Sequence, residues 1–249
     1  MRFDRGGKRA ALMPYLMGGF PSMEGSIAVG RAYADGGADL VELGIPFSDP
    51  LADGPVIQAA GSAALRAGAT PDGVLGVCEA LADRLPVVVM CYANLVLTHG
   101  PEAFAARLRD AGAAGLIVPD LPMEEAPAVL AACDAVGVDL VPLVAPTTPD
   151  ERLARIGARA RGFLYTVSVI GVTGERAALS DRFASVVRRA RAATEVPVAL
   201  GFGISTPEQA AQAAEAGADG VIVGTRLVRA AAEGDDVRAL VEGFAGALR

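Results

Sequence analysis

Four times along this chain an alanine-rich amphipathic segment ends at a glycine and an apolar run starts at once. The joints are Gly37-Ala38-Asp39-Leu40-Val41, Gly112-Ala113-Ala114-Gly115-Leu116, Gly137-Val138-Asp139-Leu140-Val141 and Gly217-Ala218-Asp219-Gly220-Val221. Glycine suits the position just past a helix end, because it enters the left-handed region without a Cβ clash. Each joint reads as helix, tight turn, strand, and its recurrence makes that unit the building block of the fold. Helix starts have their own mark. Thr70-Pro71, Thr148-Pro149-Asp150-Glu151 and Thr206-Pro207-Glu208-Gln209 each put Thr at the cap and Pro at the first helical position, and the last two add a capping-box Glu or Gln.

Apolar runs predict strands at Leu12–Met17, Asp39–Leu43, Val87–Tyr92, Gly115–Pro119, Asp139–Val144, Phe163–Val167, Val198–Phe202 and Gly220–Val223. The intervening periodicity predicts helices near Ser26–Asp35, Val56–Ala67, Pro71–Arg84, Glu102–Ala111, Glu124–Val136, Pro149–Ala158, Arg182–Thr194, Pro207–Ala216 and Asp236–Leu248. The strands are continuously apolar, as parallel strands covered on both faces should be. About eight strands alternating with helices in 249 residues match a (β/α)8 barrel, the α/β TIM-barrel class, as one domain over residues 1–249. A doubly wound open sheet is the alternative, weakened by the lack of Gly-x-Gly-x-x-Gly after the first strand.

Composition removes several function classes. The net charge of −7, without a Lys/Arg cluster, argues against nucleic-acid binding and a polybasic membrane patch. Cys78, Cys91 and Cys133 are odd in number and far apart, which fits neither a disulfide framework nor a metal motif and suits a cytoplasmic protein. The apolar run Leu85 to Leu97 is too short to span a bilayer. Lys8 is the only lysine and precedes the first strand, so a Schiff-base mechanism inside the barrel is disfavoured. His99 is the only histidine, on a His-Gly-Pro turn, so neither a His-rich zinc site nor a Gly-x-Ser-x-Gly hydrolase is expected. Carboxylate and tyrosine chemistry remain.

Barrel active sites lie at the carboxyl ends of the strands. There the second strand carries Glu42 near its end and, after Leu43, gives way to Gly44-Ile45-Pro46-Phe47-Ser48-Asp49-Pro50-Leu51-Ala52-Asp53-Gly54-Pro55, a loop whose prolines and glycines bar strand and helix until Pro55. Glu42 projects opposite to its apolar neighbours Val41 and Leu43. In apolar surroundings its pKa would rise, which suits proton transfer; an ion pair with an arginine is the alternative. Asp53 rides on the loop and can fix a donor on the substrate. Tyr165, in the sixth strand, is either site or core. Glycine-rich loops follow strands six to eight: Gly171-Val172-Thr173-Gly174, Gly201-Phe202-Gly203-Ile204-Ser205 and Val223-Gly224-Thr225-Arg226. Such loops at helix N-termini favour a phosphate.

The run from Glu42 to Pro55 resembles the signature of the tryptophan synthase α subunit family. Resemblance extends over nearly the whole chain, through Pro14-Tyr15, Met90-Cys91-Tyr92-Ala93-Asn94, Val118-Pro119-Asp120-Leu121-Pro122 and the glycine loops. It implies retro-aldol cleavage of indole-3-glycerol phosphate to indole and glyceraldehyde 3-phosphate. Glu42 would be the acid/base and Asp53 would hold the indole N–H. Tyr15, Ile57 and Phe202 would line the indole pocket, with Tyr165 beside the reacting centre. Thr173, on a lid loop, would engage Asp53, while Gly174, Gly203, Gly224 and Thr225 would hold the phosphate. The family pairs with a β subunit in an α2β2 assembly, so Asp49, Pro50, Asn94 and Pro122 are expected to face that partner. Pyridoxal phosphate would belong to the partner; no cofactor and no metal are expected in this chain. A free-standing lyase and a non-catalytic activator are the alternatives. The chain departs from the family pattern in a short leader before strand one, in Thr225 where serine is common, and in Val169 where arginine is common.

Overall fold

All four joint glycines adopt the left-handed region, Gly37 and Gly217 at φ 92°, Gly112 at 75° and Gly137 at 77°. A side chain would be strained at each, which is why the repeat keeps glycine. Two of the joint aspartates tie neighbouring strands together. Asp39 accepts the Leu12 N–H at 2.7 Å and Asp219 accepts the Val198 N–H at 3.0 Å. Lys8 lies 2.8 Å from Asp39, so the single lysine is spent at the amino ends of the strands.

The computed structural model describes residues 6–167, 176–201 and 203–249, with only the backbone for 176–182. Its strands are β1 (Ala11–Met17), β2 (Val41–Gly44), β3 (Val87–Met90), β4 (Gly115–Ile117), β5 (Asp139–Val141), β6 (Leu143–Val144), β7 (Leu164–Val167), β8 (Val198–Gly201) and β9 (Gly220–Val223). All pairings are parallel, in the order β5-β4-β3-β2-β1-β9-β8-β7-β6. The two ends of that order, β5 and β6, are halves of one strand interrupted at Pro142, so the sheet closes on itself as a barrel. The sequence predicts one strand over Asp139–Val144. It breaks because Pro142 has no N–H for the ladder. Its carbonyl still accepts the Tyr165 N–H at 3.0 Å, bridging the halves to β7.

Side chains divide by strand alternation. Leu12, Leu16, Val41, Leu43, Val87, Val89, Val198, Leu200, Val221 and Val223 face outward into the core beneath the helices. Met13, Tyr15, Val88, Met90, Ile117, Tyr165, Ala199 and Ile222 fill the interior. The helices are α1 (Met23–Asp35), α2 (Pro55–Arg66), α3 (Pro71–Glu79), α4 (Ala93–His99), α5 (Pro101–Asp110), α6 (Pro127–Val136), α7 (Asp150–Gly157), α8 (Arg176–Ala192), α9 (Pro207–Glu215), α10 (Thr225–Glu233) and α11 (Val237–Ala247), and two of them sharpen the sequence reading. Ala93–His99 (α4) stands where only a turn was expected, so His99 ends a helix, and Thr225–Glu233 (α10) starts directly after Gly224. At Pro207–Glu215 (α9), Thr206 and Gln209 form the predicted capping box. Thr148 does not cap Asp150–Gly157 (α7), whose N-cap is Pro149.

Candidate active site

Register brings the acid to the barrel mouth. Tyr15, Glu42 and Val88 are successive Cα partners across β1, β2 and β3. Glu42 therefore sits in an interior layer between a tyrosine and a valine, and only 3% of it is exposed. Among the described residues it has no arginine or lysine partner; Ile57, Met90, Tyr15, Tyr165 and Ile222 share its pocket. Burial first, and the charge of Asp53 second, push its pKa from 4.5 up to about 8. The arginine-pair alternative is set aside by this environment. A buried carboxyl near neutrality can both give and take a proton.

Asp53 reaches the same pocket from the loop before helix Pro55–Arg66 (α2). Its pKa is raised by burial and partly brought back by a hydrogen bond from the Tyr92 hydroxyl. Two tyrosines fill the floor, each lying across a glycine of the next strand. A Cβ at Gly44 would collide with the Tyr15 ring, and one at Gly201 would come within 2.5 Å of the Tyr165 hydroxyl. Both phenols are pushed far up from their ordinary pKa by burial, so they stay neutral and act as polar contacts.

The far wall suits an anion. Gly203, Ile204, Ser205, Gly224, Thr225, Arg226 and Arg229 line it, with Thr225 as the first residue of α10 and Gly203 at φ 81°. The start of α10 has no side-chain cap, and the free N–H groups of a helix start favour negative charge. Arg226 lies 3.5 Å from Asp235, whereas Arg229 is exposed. The pocket holds about 390 Å³. A larger cavity of about 670 Å³ lies outside the barrel between helix Pro127–Val136 (α6) and α7, walled by Leu121, Leu130, Leu140, Leu143 and Ile156. Of the candidate residues only Pro122 lines it, so size does not mark the chemistry here.

The structure thus gathers Glu42, Asp53, Tyr15, Ile57, Tyr165, Gly203, Gly224 and Thr225 into one pocket. Thr173, Gly174 and Phe202, with the neighbouring Val169, lie outside the described residues. Asp49, Asn94 and Pro122 are exposed and Pro50 half-buried, all on the side of the strands' carboxyl ends. Sequence reasoning missed Arg229, Met90, Ile222 and Tyr92. Helical spacing after Thr225 was the one available signal for Arg229, since residues one turn apart share a face.

A family profile described as Tryptophan synthase alpha chain matches residues 2–244. The tryptophan synthase alpha chain of Prochlorococcus marinus (strain MIT 9313) is 52% identical over 223 residues, 89% of this chain and 81% of that relative. A solved Mycobacterium tuberculosis tryptophan synthase superposes with a TM-score of 0.91 at 43% identity, covering 98% of this chain and 95% of that one. The tryptophan synthase α2β2 complex from the hyperthermophile Pyrococcus furiosus gives 0.89 at 34% identity, with 96% and 99% covered. With barrel, pocket and likeness in agreement over almost its full length, this chain belongs to the tryptophan synthase alpha chain family.

Proposed function

We propose that this pocket cleaves indole-3-glycerol phosphate to indole and glyceraldehyde 3-phosphate. The observation that carries the reading is a buried carboxyl with a pKa of about 8, Glu42, sharing one pocket with a second carboxyl, Asp53. On this reading Glu42, with a pKa of about 8, carries the proton, and Asp53, beside the Tyr92 hydroxyl, serves as the anion. Glu42 gives its proton to indole C3, and the positive charge that appears at the ring nitrogen is stabilised by the Asp53 carboxylate. The Glu42 carboxylate then takes the proton of the hydroxyl on the attached glycerol carbon. That carbon becomes the aldehyde as the carbon–carbon bond breaks, and the bond pair returns to the ring. Glu42 ends protonated, so the cycle balances without a cofactor. Ile57, Met90 and Ile222 supply apolar walls for the indole, with Tyr15 and Tyr165 beside the reacting carbons. Gly203, Gly224, Thr225 and the α10 start hold the phosphate, with Arg229 adding charge at the rim. On this reading Phe202 and the loop of Thr173 and Gly174 complete the site, Thr173 engaging Asp53.

The same reading assigns a β-subunit partner that consumes the indole and holds the pyridoxal phosphate. Its support is the α2β2 state of the Pyrococcus furiosus relative and an exposed apolar pair on the mouth side of the barrel. Leu51, next to Pro50 and near Asp49, is 89% exposed, and Leu97, on the helix of Asn94, is 58% exposed. Large apolar side chains left in water beside the pocket suit a docking face. We read the chain as one barrel domain, since its first strand pairs with its last. We also place it in the cytoplasm; among the described residues no helix is long and apolar enough to cross a membrane.

Steady-state cleavage of indole-3-glycerol phosphate, with and without a β subunit, tests the reading. Cleavage strongly enhanced by the partner is expected. High unaided turnover would favour a free-standing lyase, and no cleavage in either condition would leave only an activator.

A further inference from the structure

Asp53 sits on an irregular loop, yet its task demands a fixed position against the indole nitrogen. What fixes it is a neighbouring strand end. Tyr92 follows β3, is the N-cap residue of α4 and is 4% exposed. Its hydroxyl accepts the Ala52 N–H at 3.0 Å, so it grips the loop at the residue before Asp53, and the same hydroxyl favours the charged form of the Asp53 carboxyl. Its ring stacks on Phe47, from the start of the same loop, at 5.2 Å between centroids and 24° between planes. Its base is anchored too, because the next N–H, Ala93, donates to Asp120 Oδ1 at 2.8 Å. The other clamp on the loop, Gln58, bonds the Pro50 and Asp53 carbonyls at 3.3 and 2.9 Å and so holds backbone only. Among the described residues, Tyr92 is the side chain whose hydroxyl works against the burial of the Asp53 carboxyl.

We propose that Tyr92 is a positioning residue for Asp53: its phenol, stacked on Phe47 and rooted through Ala93 to Asp120, sets where the loop carboxylate stands and keeps it an acceptor. The proposal rests on the cleavage reading for its kinetic consequence, but its geometric claim does not need that reading. The chain of contacts also runs from the β4 loop, which bears Asp120 and Pro122, through the start of α4 to the catalytic loop. Across the pocket Asp53 faces Glu42, Tyr15 and Tyr165 and raises the pKa of each, and Tyr92 stands on its loop side with Asp120 acting on Tyr92 from the far side. Burial opposes ionisation of Asp53, and the Tyr92 hydroxyl favours it.

Tyr92→Phe keeps the ring and its stack on Phe47 while removing the hydroxyl. In the α–β complex it is expected to lower kcat for indole-3-glycerol phosphate cleavage by about tenfold to a hundredfold, the range of one hydrogen bond to a charged group. KM should stay within about threefold, since the phosphate end is untouched. The acid limb of the kcat profile should move to higher pH, because Asp53 loses the donor that favours its charged form. Carbon-13 NMR titration of the Asp53 carboxyl in aspartate-labelled protein, without substrate, should show the same upward move. If the wild type cleaves the substrate but the variant keeps kcat and the acid limb, the proposal is overturned. An unmoved Asp53 titration, or a lower melting temperature with no change in that titration, overturns it equally. A wild type that cleaves nothing refutes the cleavage reading, and the NMR titration still decides the role of Tyr92.

Discussion

Glu42 and Asp53 face one pocket from supports of opposite kind. Glu42 stands on β2, laddered on both sides by β1 and β3, so its position is set by backbone register. Nothing polar among the described side chains compensates its burial, and its proton stays on to about pH 8. Asp53 stands on a loop held by side chains, above all Tyr92, and receives a hydrogen bond that works against its burial. The pair shows one functional group in two environments: burial raises both pKa values, and only Asp53 has a hydroxyl that works against the rise. An acid that must release and regain a proton belongs in a dry, rigid place without a partner. An anion that must answer a transient positive charge needs a donor that keeps it ionised.

The widest gap between the two acids should appear on substitution. Glu42→Gln is expected to reduce kcat for indole-3-glycerol phosphate cleavage by ~10²–10⁴-fold, the span of general acid–base catalysis, with KM nearly unchanged. Normal turnover in single-turnover assays would remove Glu42 from the mechanism. Asp53→Ala should cost about 10²–10³-fold in kcat, as losing one preorganised electrostatic group does. A rate equal to wild type would reduce it to a structural loop acid.

A third measurement reads stability. Because the folded pKa of Glu42 lies above its ordinary 4.5, the native state holds a proton that the unfolded chain releases between pH 4.5 and about 8. Wild-type stability should therefore fall as pH rises through that window, with the full penalty present above pH 8. Glu42→Gln lacks the penalty, so urea unfolding should show its stability advantage growing by roughly 4 kcal/mol from pH 5 to pH 8.5. A pH-independent difference would mean that Glu42 is ionised at ordinary pH. The smallest effect is expected at the opposite end of the pocket. Arg229→Ala should raise KM about three- to tenfold and leave kcat alone, because an exposed charge adds uniform binding. A change confined to kcat would contradict its place at the phosphate rim.

Legibility in the sequence followed how local each cause was. The joint glycines and the Thr206 capping box could be read because their physics spans a few residues. Thr148 bears the same Thr-Pro signature and fails. Its hydroxyl accepts the Ala145 N–H at 3.0 Å in a turn closed by its own N–H on the Ala145 carbonyl, so it is not available to α7. The outward alternation of Val41 and Leu43 was enough to turn Glu42 inward. Tyr165 stayed ambiguous between site and core, because a tyrosine in an apolar run looks the same in either. Tyr92 was visible only as part of a motif, since nothing local says that its hydroxyl meets Ala52 and Asp53.

By itself the sequence determined the barrel, the strand ends that face its mouth and the two acids, because periodicity, glycine conformation and strand alternation act at short range. Only the tertiary structure decided how the surroundings of the two acids differ. That depends on what lies around each carboxyl: Tyr15 from β1, Tyr165 from β7 and Tyr92 from the end of β3. Desolvation and hydrogen bonding are sums over neighbours in space, and those neighbours are set by closure of the sheet.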